Sequence, residues 1–294
     1  MRKVILSLIT ILWLGSLAGQ PLSPFLEAGK KFATENEAAT LLIKAANDSG
    51  FRLLGDFRPG NSKTLRVLVF TRSDLEKVAL SAGERGALAA ALKCGLRTEN
   101  GTTQVTIMNP EYTFNAYFGE SGSAKTDEAQ RISNQLISSM KTNLGTLTPM
   151  GGEVEKEKLW KYKYMMGMPD FNDPVKLAEF NSFAKGVETI EKNLNAKAGK
   201  TMKVYSLIYP DKKVAVFGVA FNDPEKGEAH YLPIIGDKHI AALPYEIILT
   251  GEKATMLHGR YRIALHWPSL TMGTFTKIMS TPGNIEEQLK LLVQ

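Results

Sequence analysis

The order of structural signals between residues 34 and 145 returns between residues 182 and 294, and each stretch has the length of one ordinary domain. In the first stretch, Thr34-x-x-Glu37 has the form of a capping box. The helix it opens carries Leu41, Leu42, Ala45 and Ala46 on one face and ends at Gly50. Strand-like runs follow at Phe51–Phe57 and Leu65–Thr71, separated by the turn residues Pro59-Gly60-Asn61. Ser73-x-x-Glu76 caps a second helix. Leu92, Cys94 and Leu96 then alternate with Lys93, Gly95 and Arg97, the period of a half-buried strand. Asn100-Gly101 signals a hairpin, with Val105 and Ile107 on its return strand. Ile132, Leu136, Met140 and Leu144 recur every four residues, and Gly145 ends that helix.

The second stretch repeats the plan. Ser182 precedes a helix bearing Val187, Ile190 and Leu194, and strands are expected at Val204–Tyr209 and Val214–Phe221 around Pro210-Asp211. Leu243, Tyr245, Ile247 and Leu249 alternate, as do Tyr261, Ile263, Leu265 and Trp267, which predicts two further strands. Thr281-Pro282 opens a last helix containing Ile285, Leu289 and Leu292. Ala90-Ala91-Leu92 matches Ala241-Ala242-Leu243, Val69-Phe70 matches Val216-Phe217, and Asn109-Pro110 matches Trp267-Pro268. Two copies make a tandem pair, because a solenoid needs at least three. The expected class is α+β, with two similar domains at 34–145 and 182–294. Each is an antiparallel sheet with helices packed on one face and the other face partly solvated.

Residues 146–181 form a linker with a helical segment. The mixed charges of Glu153–Lys158 read as a solvated helix face. Leu159, Trp160, Tyr162, Tyr164, Met165 and Met166 are too apolar for a free tether, so this segment is expected to pack in the groove between the domains.

Residues 1–18 read as a secretory signal peptide. Arg2 and Lys3 precede the apolar run Val4–Leu14, and Ser16-Leu17-Ala18 places small residues where a signal peptidase cleaves. An exported protein, periplasmic or secreted, is expected. The apolar run is shorter than the ~20 residues a membrane-spanning helix needs, and no later segment is long and apolar enough, so no membrane span is expected in the mature chain. Cys94 is the only cysteine, which excludes an intramolecular disulfide and a multi-cysteine metal site. The formal charge of +6 is dispersed, without a long basic run or an aromatic nucleic-acid motif, so nucleic acid is not expected as a partner.

Four segments carry a family resemblance. Gly50-Phe51-Arg52-Leu53-Leu54, Leu65–Phe70, Ala90–Leu96 and Gln104–Pro110 occur in the order and spacing of the bacterial α+β family catalogued as domain of unknown function 302. In the second stretch, Asn222–Gly227 and Ala242-Leu243-Pro244-Tyr245 resemble that family's acidic-proline segment and the Leu-Pro step opening its hairpin. The first copy departs from the pattern in having Lys93 where a proline is expected. The resemblance implies a fold and transfers no catalytic residue.

Candidate chemistry concentrates in the second copy, which holds all four histidines: His230, His239, His258 and His266. No pair has the i,i+4 spacing of a helical metal site. On one strand His258 and His266 would stand roughly 26 Å apart at ~3.3 Å per residue. His266 would share its face with Arg260 and Arg262, a solvent-facing pattern. Met165, Met166 and Met168 beside Trp160 read as adaptable packing before a soft-metal site. Cys94, on the inward strand face, reads as an inert buried thiol. Gly119-Glu120-Ser121-Gly122-Ser123 resembles a nucleophile elbow without its final glycine. The richest polar stretch is Asp223–His230, at the exit of a strand, where loops commonly carry function.

No metal-ligand set, cofactor or catalytic constellation is evident. The expected function is binding of an unidentified small molecule or protein partner without catalysis. His230, Tyr245 and Asp223 are the expected ligand-binding residues. An enzyme, hydrolase-like, with a site assembled from distant residues is the alternative, and copper or haem handling is the third.

Overall fold

The structure is a computed structural model and describes residues 20–83, 85–119 and 123–294. The expected signal peptide and the centre of the elbow-like stretch at 119–123 lie outside the described residues. Strands β1 (Pro21–Leu22) and β2 (Phe25–Ala28) lead into helix α1 (Glu35–Asp48), strands β3 (Arg52–Phe57) and β4 (Leu65–Thr71) and helix α2 (Ser73–Ser81). The hairpin β5 (Leu92–Glu99) and β6 (Thr102–Met108) follows, then helices α3 (Pro110–Tyr117) and α4 (Ser123–Leu144) and strands β7 (Leu147–Met150) and β8 (Val154–Glu155). The rest of the chain runs β9 (Val175–Glu179), α5 (Phe183–Asn195), β10 (Thr201–Tyr209), β11 (Val214–Phe221), α6 (Glu228–Ile235), β12 (Tyr245–Thr250), β13 (Lys253–Met256), α7 (Gly259–His266), α8 (Met272–Lys277) and α9 (Thr281–Lys290).

Local chemistry accounts for many of these boundaries. Thr34 Oγ1 accepts from Glu37 N at 3.1 Å and Ser182 Oγ from Lys185 N at 3.1 Å, satisfying amides that the first helical turns leave free. Asn100 and Gly101 take φ of 51° and 71°, the left-handed pair that a two-residue hairpin turn requires. Ser73 and Thr281 are first helical residues and not caps; Arg72 and Ser280 hold the cap positions without a side-chain cap bond. Asp74 replaces the missing cap by accepting from Leu75 N at 2.9 Å.

The protein is α+β, with two main antiparallel sheets. The first has the order β3-β4-β5-β6-β2-β7 and the second β10-β11-β12-β13-β9. Apart from β7 the orders agree: β2 and β9 each precede a domain's first helix and pair with the returning strand of its hairpin. The boundaries 34–145 and 182–294 therefore omit three sheet strands, β2, β7 and β9. The segment between the domains supplies an edge strand to each sheet, and its helical part is the single 3-10 segment Lys156–Lys161.

Two readings are corrected. Tyr261–Trp267 is not a strand but the helix α7 with its C-cap. Tyr261, Arg262, Ile263, Leu265 and His266 are all buried, and only the narrow strip of Arg260 and Ala264 is left open, too little to impose a 3.6-residue period on the sequence. His258 is its N-cap, with Nδ1 accepting from Arg260 N at 3.1 Å, as Asn109 Oδ1 accepts from Glu111 N at 3.2 Å to cap α3. The position matching Asn109 is thus His258, not Trp267. Register moves a second landmark: Leu68 lies opposite Cys94 and Val219 opposite Tyr245, so Val69-Phe70 corresponds to Ala220-Phe221.

The expected solvated sheet face is also revised, because the domains cover each other's second faces. On β5, Lys93 Nζ donates to Pro244 O at 3.3 Å and Arg97 Nε to Asp237 Oδ1 at 2.6 Å. Gly95 lies between them, and a Cβ there would come 2.6 Å from Ile240 Cγ1. The edge strands β3 and β10 carry matching register shifts, between Leu53 and Gly55 and between Lys203 and Tyr205. They meet where Gly55 approaches Val204. Charged residues on this face gave it a solvated pattern, but their partners belong to the other domain.

Candidate functional site

The expected ligand residues separate. Asp223 is committed to its own turn: Oδ1 accepts from Glu225 N at 2.9 Å and Lys226 N at 3.2 Å, and Oδ2 pairs with Lys200 at 3.0 Å. Lys200 holds that carboxyl below its ordinary range. His230 is half-buried on α6 and makes no side-chain hydrogen bond among the described residues. Tyr245 is buried at the start of β12, where the Arg262 guanidinium stacks 4.1 Å from its ring centre. No hydrogen bond, ion pair or ring contact among the described residues links Tyr245 to Asp223 or His230.

Around Tyr245 the domain boundary closes over a polar core. Lys93 of β5 and Arg262 of α7 both pair with Glu246 of β12, and all three side chains are under 5% exposed. Arg262 Nη2 donates to Glu246 Oε2 at 2.8 Å, Ala242 O at 2.7 Å and Pro244 O at 2.6 Å. Burial pushes the Lys93 amine down to about 8, against the pull of Glu246. Burial would lower Arg262 too, but Glu246 and the neighbouring tyrosines outweigh it and hold the guanidinium charged. Glu228, at the start of α6, is fully buried; Oε2 accepts from Gly60 N at 2.8 Å and Oε1 from Phe221 N at 3.2 Å. Burial raises its carboxyl to about 8, with the two amides pulling the other way. The hydroxyls of Tyr205, Tyr231 and Tyr245, Arg262 Nε and Nη1, and His266 Nδ1 have no hydrogen-bond partner among the described residues. His266 is buried, and burial beside Arg262 and Lys93 holds it neutral. Arg262 and His266, expected to face solvent from a strand, are therefore both buried.

Helix α7 turns its other side to an apolar cleft open to the surface. The linker supplies one wall with Tyr162, Tyr164 and Met168, α7 supplies Ile263 and Ala264, and α8 supplies Met272 and Phe275. Tyr162 Oη donates to Ala264 O at 3.3 Å and Tyr164 Oη to Leu270 O at 3.5 Å, which fixes the linker wall on the second domain. The linker reaches the first domain through Lys156, paired with Glu111 at 2.8 Å. Its anchor is Phe171, stacked on Tyr117 at 5.4 Å, tilted against Tyr261 at 6.3 Å and covered by Arg85. The segment does pack between the domains, but through Leu159, Tyr162 and Phe171. Met165 and Met166, expected to be buried, are 45% and 99% exposed.

Arg260 is the only charged residue in the cleft wall. It is exposed and pairs with no carboxylate among the described residues. The apolar walls suit an apolar ligand. No group of three or more His, Cys, Asp or Glu among the described residues could hold a metal ion. Cys94 is buried on the helix-covered side of β5, where burial raises its thiol far above the ordinary value. The buried Lys93, Glu228, Glu246 and Arg262 were missed from sequence; one signal lay in Lys93, at the position where the resemblance expects proline.

No protein-family model matches the chain, and no curated protein matches it. Among solved structures it is similar to an uncharacterized conserved protein DUF302 from Bacillus stearothermophilus, at 16% identity and a TM-score of 0.34. The match covers 40% of this chain and 95% of that one. No helix among the described residues is long and apolar enough to cross a membrane.

Proposed function

We propose that this protein is exported and binds an apolar small molecule, without chemically altering it, in the cleft between the linker and helices α7 and α8. The observation that carries the reading is the cleft itself, walled by Tyr, Trp, Phe, Met and aliphatic side chains. Its walls contain no Asp, Glu, His, Ser or Cys, the side chains that most often serve as acid, base or nucleophile. Met168 and the exposed Met272 in its walls are flexible and polarizable, suited to packing on ligands of different shape.

The test uses N-phenyl-1-naphthylamine, a neutral fluorophore that brightens in apolar surroundings. Saturable binding at one site is expected, and Ala264→Phe, which fills the cleft from α7, should abolish it while leaving the unfolding transition in place. Unchanged binding by that variant would place the ligand elsewhere. Export predicts a mature chain beginning after Ala18, and intact mass of protein recovered from its host reads this directly. A mature chain beginning at Met1 would refute it.

The two halves, in the same reading, descend from one duplicated domain of the family they resemble. Support comes from the shared strand order, the paired bulges of β3 and β10, and the matching caps of α3 and α7. The second copy has specialised: with the linker and α8 it builds the cleft, while the first copy braces it.

A further inference from the structure

We propose that the ligand of this cleft is an amphiphile with one acidic head group, a long-chain or aromatic carboxylate, held by Arg260. The inference rests on the cleft being the binding site. The polar groups of the linker wall are already engaged: the Tyr162 and Tyr164 hydroxyls donate to backbone carbonyls at 3.3 and 3.5 Å. The Tyr261 hydroxyl has no partner among the described residues but is buried and uncharged, so the group at the rim that can take a charged head group is Arg260, in the first turn of α7. Its neighbours in the wall are Tyr261, Ile263 and Ala264, none of them charged. Asp170 of the linker is paired with Lys163 at 3.2 Å, and Asp173 accepts from Asp170 N at 3.0 Å. The guanidinium therefore has no carboxylate of its own within ion-pair distance among the described residues. A planar fork of donors at the edge of an apolar wall matches a carboxylate, which it can hold bidentately. A neutral apolar ligand would leave that pairing unused, and a cationic one would meet a like charge. The aromatic side chains Tyr162, Tyr164, Trp267 and Phe275 line the part that would receive the apolar body.

The experiment compares decanoate with decan-1-ol as competitors for bound N-phenyl-1-naphthylamine, in the full mature protein and in the Arg260→Gln variant. Arg260 is exposed, so the substitution should leave folding intact, and the unfolding transition checks this. Decanoate is expected to displace the probe about tenfold more strongly than decan-1-ol, a difference of ~1.4 kcal/mol. Arg260→Gln should remove most of that difference while leaving decan-1-ol unchanged, and raising salt should weaken decanoate alone. Equal displacement by acid and alcohol, or a preference for acid that survives Arg260→Gln, would overturn the head-group assignment and leave the cleft as the site. If the probe does not bind and neither competitor binds by calorimetry, the cleft reading itself fails, and this inference with it.

Discussion

Tyr117 and His266 are the last residues of two eight-residue helices, α3 and α7, and they meet across the domain boundary with Tyr117 Oη 3.2 Å from His266 Nε2. Equivalent positions in the two halves thus touch each other, as they would about an approximate two-fold axis. Both side chains are buried, so removing either leaves the other without its partner, at a cost of about 1–3 kcal/mol. Tyr117→Phe and His266→Leu should each destabilise by that order. The double variant should cost about 1 kcal/mol less than the sum of the two, because its apolar pair strands nothing. Urea denaturation of the four proteins measures the coupling, and strict additivity would show that the contact carries none.

The Lys93–Glu246–Arg262 cluster predicts an order of effects. Lys93→Met leaves Glu246 still paired with Arg262, so one ion leaves the core and the remaining pair stays balanced. Glu246→Gln strands two buried cations at once, and uncompensated buried charge costs about 3–5 kcal/mol. Glu246→Gln should therefore be the more damaging by at least ~1 kcal/mol in the same assay. A larger loss for Lys93→Met would mean that the amine, not the carboxylate, organises the cluster.

The periodic elements were legible in the sequence because each has one face to bury: α1, α4 and α5 show it in their apolar spacing, and the β5–β6 hairpin in its alternation and its Asn-Gly turn. The domain interface was illegible for a related reason. Lys93, Arg97 and Glu246 read as solvated positions on a strand, and nothing local distinguishes a charge facing water from one facing an opposite charge in another domain. Helix α7 failed differently, since burial on almost all sides removed the period and left an accidental alternation at 261, 263, 265 and 267. Of the cleft, the linker's aromatic residues were visible as apolar surface needing cover. Which of them would be covered was set by Phe171, which lies outside the apolar run.

Cys94 gives a direct check on how tightly the first sheet is packed. Its side chain is 1% exposed, and burial raises its thiol far above the ordinary value, so the reactive thiolate is scarce at neutral pH. A thiol reagent such as 5,5′-dithiobis(2-nitrobenzoate) should find no reactive group in the native protein and one per chain in denaturant. Rapid native labelling would mean that the sheet opens far below the global unfolding energy.

Glu228 predicts how stability responds to pH. Its folded value, about 8, lies above the ordinary 4.5, so between those limits the folded protein binds the proton the unfolded chain has released. Stability from this group is complete below pH 4.5 and declines as pH rises toward 8, by at most about 1.4 kcal/mol per pH unit. Lys93 acts in the opposite sense at higher pH: its folded value of about 8 lies below the ordinary 10.5, so stability recovers across that interval. His239 and His266, kept neutral by burial, oppose Glu228 only below their ordinary 6.5. The informative window is therefore pH 6.5 to 8. There the unfolding free energy of the natural protein should fall with pH, and that of Glu228→Gln should be nearly flat. The variant should also be less stable by about 1–3 kcal/mol at pH 6.5, because glutamine has one acceptor oxygen for the two amides, Gly60 N and Phe221 N. Parallel slopes in the two proteins would show that Glu228 ionises as an ordinary carboxylate and that the junction between α6 and the Pro59–Asn61 turn is open to water.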